Sequence, residues 1–113
     1  MNPRELMTAL LRGDDLAVRQ MVKDATRAGF SWGSAPAPDF PTHRRAMAAY
    51  AGLVEHLASL SGVAPPEWTQ AVGAAPKPVY LVRSAKHSAA GRRWLAEESP
   101  EPLKKRNVLA TAQ

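Results

Sequence analysis

Residues 42–62, THRRAMAAYAGLVEHLASLSG, decide the fold class. Met47, Tyr50, Ala51, Val54, Leu57 and Ala58 recur at three- and four-residue steps, and Ser61 continues the row. That is the period of a helix with one apolar face. Thr42 offers a capping hydroxyl at the start, and Gly62 supplies the stop. The spacing predicts a helix to about Leu60 at the centre of the core. Ala46, Ala48 and Ala49 widen the region where another element can come close.

Upstream, Asn2, Pro3 and Glu5 have the spacing of a capping box with proline at the first helical position. They predict a first helix with Leu6, Met7 and Leu10 on its apolar side and Gly13 at its end. Asp14 or Asp15 caps a second helix to about Ala28, where Gly29 closes it. Val18, Met21, Val22 and Ala25 form its inward face. Two helices so joined make an antiparallel hairpin over residues 1–32. Residues 33–41 follow as a strap, in which Pro36, Pro38 and Pro41 forbid helix and favour a polyproline-like path. Phe30, Trp32 and Phe40 flank it, as pins to the body or as anchors for a partner, and the strap is the natural hinge.

Downstream, Pro66 suits the first turn of a short helix to about Val72, with Trp68 packed back on the central helix. Residues 78–82 read as a short extended element. A helix from about Ser88 carries Arg93, Trp94 and Leu95, with Trp94 expected in the core, and Ser99 caps the next turn. Residues 107–111 form a terminal strand able to pair with residues 79–82. The fold class is therefore mainly α: a small helical domain with a minimal two-stranded C-terminal element. Residues 42–113 make up the main domain behind the hairpin and the strap.

The chain has 113 residues, of which 45% are hydrophobic, so it has the size of one domain and is not disordered by composition. Much of that fraction is alanine, which makes a thin core of the kind a partner often completes. There is no cysteine, hence neither disulfide nor thiolate metal site. No apolar run is long enough to span a membrane, and the N-terminus lacks a signal-peptide pattern, so a cytoplasmic location is expected. The net charge is +5. Residues 1–62 hold seven Lys or Arg against six Asp or Glu, whereas residues 83–113 hold seven against three. The cationic excess is a C-terminal property and favours an acidic partner.

Catalytic patterns are missing. His43 and His56 lie thirteen residues apart with no ligand at metal spacing, and His87 stands alone. Asp14 with Asp15, and Glu97 with Glu98, are adjacent pairs explained by helix ends. No serine has a nucleophile-elbow context, and no glycine cluster could cradle a phosphate. The sequence reads as a non-enzyme without cofactor or metal. Nucleic-acid binding has weak support: Arg83, Lys86, His87, Arg92 and Arg93 form one basic cluster, and Lys104, Lys105 and Arg106 a second. Tyr80 and Trp94 are available to stack on bases. Arg19, Lys23 and Arg27 make a basic stripe on the second helix, but the hairpin lacks the third helix of a helix-turn-helix.

The order of the C-terminal segments resembles one family. A helix rich in Leu and Ala ends at Gly62 and is followed by Pro66-Glu67-Trp68. The strand Tyr80-Leu81-Val82 and the Ser99-Pro100 turn come next, then Lys104-Lys105-Arg106-Asn107-Val108-Leu109. In this, residues 44–112 resemble the C-terminal region of actinobacterial antitoxins paired with nucleotidyltransferase-like toxins that modify transfer RNA. Many members begin with a helix-turn-helix, which this chain lacks. The resemblance implies neutralisation of a cognate toxin by direct contact, in a hetero-oligomer. It further implies that the toxin's site is rich in carboxylates, which fits the acidic partner expected from the charge. The candidate contacts are Phe30, Trp32 and Phe40 as aromatic anchors, with Arg92, Arg93, Lys104, Lys105 and Arg106 as charge partners. The alternative is a DNA-binding transcriptional regulator that uses the basic C-terminal surface.

Overall fold

The computed structural model describes residues 2–38, 44–81 and 89–109. The expected contributions of Phe40, Thr42, His43, Val82, Arg83, Lys86, His87 and Ser88 lie outside those residues.

Helix α1 (Pro3–Arg12) starts as its sequence dictates: the Asn2 side chain accepts from the N–H groups of Arg4 and Glu5. This satisfies donors that the first turn leaves without an intrahelical partner. Gly13, at φ 67°, ends the helix in the left-handed conformation, its N–H bonded to the carbonyls of Ala9 and Leu10. Helix α2 (Asp15–Arg27) is capped by Asp14, whose carboxylate accepts from the Ala17 N–H. Leu6, Met7, Ala9 and Leu10 of α1 are buried, as is Ala25 of α2, with Val18, Met21 and Val22 packed partly against them.

Helix α3 (Arg44–Leu60) is the axis of the molecule. Its buried residues include Ala46, Ala48, Ala49, Tyr50, Ala51, Gly52, Leu53, Val54, Glu55 and Ala58, which surround most of the helix. The apolar face is therefore wider than the single stripe in the sequence, because α3 is covered from more than one side. Helix α1 packs on it, and so does α5 (Glu101–Lys104), a single turn near the C-terminus. The hairpin, α3 and the C-terminal segment share one apolar cluster.

The strap is held by α3 and by the turn after it. A 3₁₀ turn, Trp32–Ser34, buries Trp32 and leads to the buried Ala35. The Tyr50 hydroxyl donates to the Pro36 carbonyl at 2.9 Å, and Trp68 Nε1 donates to the Ala35 carbonyl at 2.8 Å. Tyr50 and Trp68 stack with ring centroids 5.4 Å apart. Burial pushes the Tyr50 phenol up to about 12, so it stays protonated as the donor at neutral pH. Trp68, on the 3₁₀ turn Glu67–Ala71, thus packs back on α3 as its position predicts.

The two-stranded element is present and parallel. Strand β1 (Val79–Tyr80) pairs with β2 (Val108–Leu109), Val79 opposite Val108 and Tyr80 opposite Leu109. The crossover between them contains α4 (Ala89–Glu98) and α5, as a parallel pair requires. Two expectations fail in this crossover. Ser99 does not cap α5; its hydroxyl donates back to the Leu95 carbonyl of α4, and α5 begins after Pro100 with no side-chain cap. Trp94 is not core: it is 49% exposed, while its neighbour Leu95 is fully buried. Adjacent helical residues point about 100° apart, so one position inward turns the other out.

Close approach of α5 to α3 depends on Gly52. A Cβ there would sit 2.7 Å from Leu103 Cδ2, 3.1 Å from the Pro102 carbonyl oxygen and 3.2 Å from Leu103 Cα. Gly52→Val should therefore lower stability by about 2 kcal/mol, despite the better helix propensity of valine, because α5 must move off α3. Thermal and denaturant unfolding check this, and an unchanged midpoint would contradict the packing.

Candidate partner-binding surface

The C-terminal cations differ in what their side chains touch. Arg106 follows α5 directly and is 3% exposed. Its Nη2 donates to Glu55 Oε1 at 2.5 Å and to the Thr69 carbonyl at 2.7 Å, and its Nη1 donates to the Pro102 carbonyl at 3.0 Å. One guanidinium thereby joins α3, the Glu67–Ala71 turn and α5. Lys105 takes the other oxygen of Glu55, Nζ to Oε2 at 3.0 Å, from a half-exposed position. Burial alone would raise the Glu55 pKa, but the hydrogen bonds and charges of Arg106 and Lys105 outweigh it and hold the carboxyl below its ordinary value. His56, the next residue, is half-buried; desolvation lowers its pKa, and its Nε2 has no hydrogen-bond partner among the described residues.

Arg106 is thus withdrawn from the surface, which corrects its expected role as a charge partner. Lys104 is exposed at the end of α5, and Arg92 and Arg93 are exposed on α4. Trp32 is corrected in the same way: at 2% exposure it is a core residue, its Nε1 donating to Thr26 Oγ1 at 3.3 Å. Phe30 is half-buried, edge-on to Trp32 with centroids 4.8 Å apart, and so supports that core residue. Phe40 lies outside the described residues. The aromatic anchors expected around the strap are, where described, part of the fold.

Among the described residues, the exposed aromatic lies elsewhere. Trp94 stands on α4, which buries Leu95 and carries Arg92 and Arg93 on the preceding turn and Glu97 and Glu98 on the following one. Leu16, Leu60 and Val63 are further exposed large apolar side chains, at separate places on α2 and at the end of α3. The signal for Trp94 was its adjacency to Leu95, since both cannot face inward. The signal for Arg106 was Glu55, a carboxylate amid the apolar residues of α3, which burial obliges to find a cation.

Among the described residues no three of His, Asp and Glu converge as metal ligands, and no helix is long and apolar enough to cross a membrane. No protein-family model, curated protein or solved structure matches the chain.

Removing Arg106 leaves the buried Glu55 carboxylate with only the half-exposed Lys105 as its cation. Arg106→Met should cost about 3 kcal/mol, and Lys105→Ala at most about 1 kcal/mol, because Lys105 is half in water. The pH dependence follows from the direction of the Glu55 shift. With its folded pKa below the ordinary 4.5, Glu55 contributes stability above that value, and the contribution is lost as pH falls through the folded pKa. Acid titration followed by circular dichroism should place the unfolding midpoint of Arg106→Met at higher pH than that of the wild type.

Proposed function

We propose that this protein is an antitoxin that neutralises a nucleotidyltransferase-like toxin by direct binding. The carrying observation is Trp94: a large aromatic, half in solvent, on a helix whose next residue is fully buried. Exposed tryptophans on ordered helices are the residue type that anchors protein interfaces once desolvated by a partner. The C-terminal excess of positive charge supports a partner with a carboxylate-rich surface, and Arg92, Arg93 and Lys104 remain outside to steer it. The order of segments that resembles the antitoxin family supports the same reading. The complex is a hetero-oligomer, formed without cofactor or metal on this chain.

The test is co-expression with the protein encoded by the adjacent gene. Co-purification and suppression of its nucleotidyltransferase activity are expected; a wild-type chain that neither binds nor inhibits it overturns the proposal. Retardation of promoter DNA by the chain alone, with steep salt dependence, would instead favour a transcriptional regulator. Trp94→Ala should weaken the complex by about 2 kcal/mol, roughly thirtyfold in Kd, and leave the melting temperature unchanged. Charge changes at Arg93 or Lys104 should act mainly on association rate.

A further inference from the structure

Helix α4 meets the body through Leu95, the buried residue of that helix. At about 100° per residue, Arg93 and Glu97 each stand about 160° away from Leu95, on the side turned from the body. Ala90 lies beside them and Trp94 flanks them, and all four are exposed. The outer face of α4 therefore runs from a small residue through a cation and an indole to an anion.

Two properties of this face are unfavourable in a single chain. Arg92 and Arg93 sit in the first half of α4 and Glu97 and Glu98 in its last turn, with no acidic residue in the first turn and no basic one in the last. The charges are thus at the wrong ends for the macrodipole, which is positive at the N-terminus and negative at the C-terminus. Arg93 and Glu97 are four residues apart, yet neither has an ion-pair or hydrogen-bond partner among the described residues. Arginine before glutamate is also the poorer order for such a pair on one helix. An antiparallel copy of the same helix reverses both properties. Its negative end and its Glu97 come to lie beside Arg93, and its positive end and its Arg93 beside Glu97.

We propose that the outer face of α4 pairs with the same face of a second copy of this chain, antiparallel about a twofold axis. With the axis between Arg93 and Trp94, each Arg93 lies opposite Trp94 of the other copy, and each Ala90 opposite Glu97. The guanidinium rests on the indole face and reaches the Glu97 carboxylate one turn along, in the room that Ala90 leaves. The twofold makes every contact twice. A partner of one charge sign matches half of this face, whereas a second copy matches all of it. The seam is about 15 Å long, too short for a permanent dimer, so the pairing is reversible. A toxin that docks on Trp94 must displace the second copy, and this consequence alone rests on the antitoxin reading.

Sedimentation velocity on the full chain over a range of concentrations should show a monomer–dimer equilibrium. Arg93→Glu and Glu97→Arg each set like charges against one another across the twofold and should weaken the dimer at least about tenfold. Trp94→Ala should do the same. Melting temperatures taken at dilution, where every variant is a monomer, should match the wild type because these side chains are exposed. An equimolar mixture of the Arg93→Glu and Glu97→Arg chains should associate again, since each carries the sign that the other lacks. A wild type that stays monomeric up to its solubility limit, a dimer indifferent to Arg93→Glu, or a mixture that fails to recover would each overturn the proposal. If the adjacent-gene protein binds while the chain alone is monomeric, the self-pairing is refuted and the antitoxin reading stands. If the chain pairs through α4 yet ignores that protein, the antitoxin reading fails and the self-pairing stands.

Discussion

The structure depends on a buried ion pair between Glu55 in the middle of α3 and Arg106 at the end of α5. Two charges taken out of water carry a desolvation penalty that their attraction offsets only with good geometry and further hydrogen bonds. Arg106 has those bonds, to the Thr69 and Pro102 carbonyls. Its planar fork can donate to these partners only in a narrow range of positions, unlike an apolar contact, which tolerates sliding. The pair therefore fixes where α5 sits along α3. The same residue sets the sheet: the Arg106 carbonyl accepts from Ala75, and Asn107, at φ 62°, turns the chain into β2. The register of Val79 with Val108 follows from where Arg106 is pinned.

Around that pair the core is lean rather than large. Much of the buried surface of α3 is alanine and glycine, so neighbouring segments pack close to its backbone. Close approach replaces side-chain volume as the source of dispersion contacts. Gly52 marks the limit of this strategy, since even one added carbon collides with α5. The bulk that a small core still needs comes from Trp32, Tyr50 and Trp68, and two of these spend their polar atoms on the strap carbonyls. A proline-rich segment has few backbone donors for a ladder of its own. Side-chain donors from the body are the means of holding it.

Legibility in the sequence followed the range of the interaction concerned. Asn2, Asp14 and Gly13 act within one turn of their own helices; spacing alone places Asn2 and Gly13, and it narrows the second cap to Asp14 or Asp15, of which the structure uses Asp14. The pairing of residues 79–80 with 108–109 was legible because only two short apolar extended segments remained after the helices were assigned. Arg106 was not, because Lys104-Lys105-Arg106 looks like a solvated charge run and its burial depends on a residue 51 positions away. Trp94 is exposed rather than buried for a related reason. Periodicity ranks positions around one helix, but which of two adjacent apolar residues faces inward is decided by the element packed against it. Phe30 and Trp32, read as anchors for a partner, serve the core instead.

The corrected positions change how binding can work on this surface. If all the C-terminal cations were loose, attraction would be diffuse, screened beyond about 8–10 Å at ordinary salt, and indifferent to the shape of the partner. With Arg106 locked to Glu55, the second carboxylate oxygen fixes Lys105, and the backbone of residues 72–75 is tied to the same clamp through Ala75. The Lys105 charge is then held by an ordered frame, so less ordering entropy is left to lose on association. The coupling runs in both directions. A partner that binds the Lys105 side of the clamp in the folded state alone must stabilise the fold by mass action. The clamp that closes this small core and the surface offered to a partner are therefore one structural unit, and saturation of one must be visible in the stability of the other.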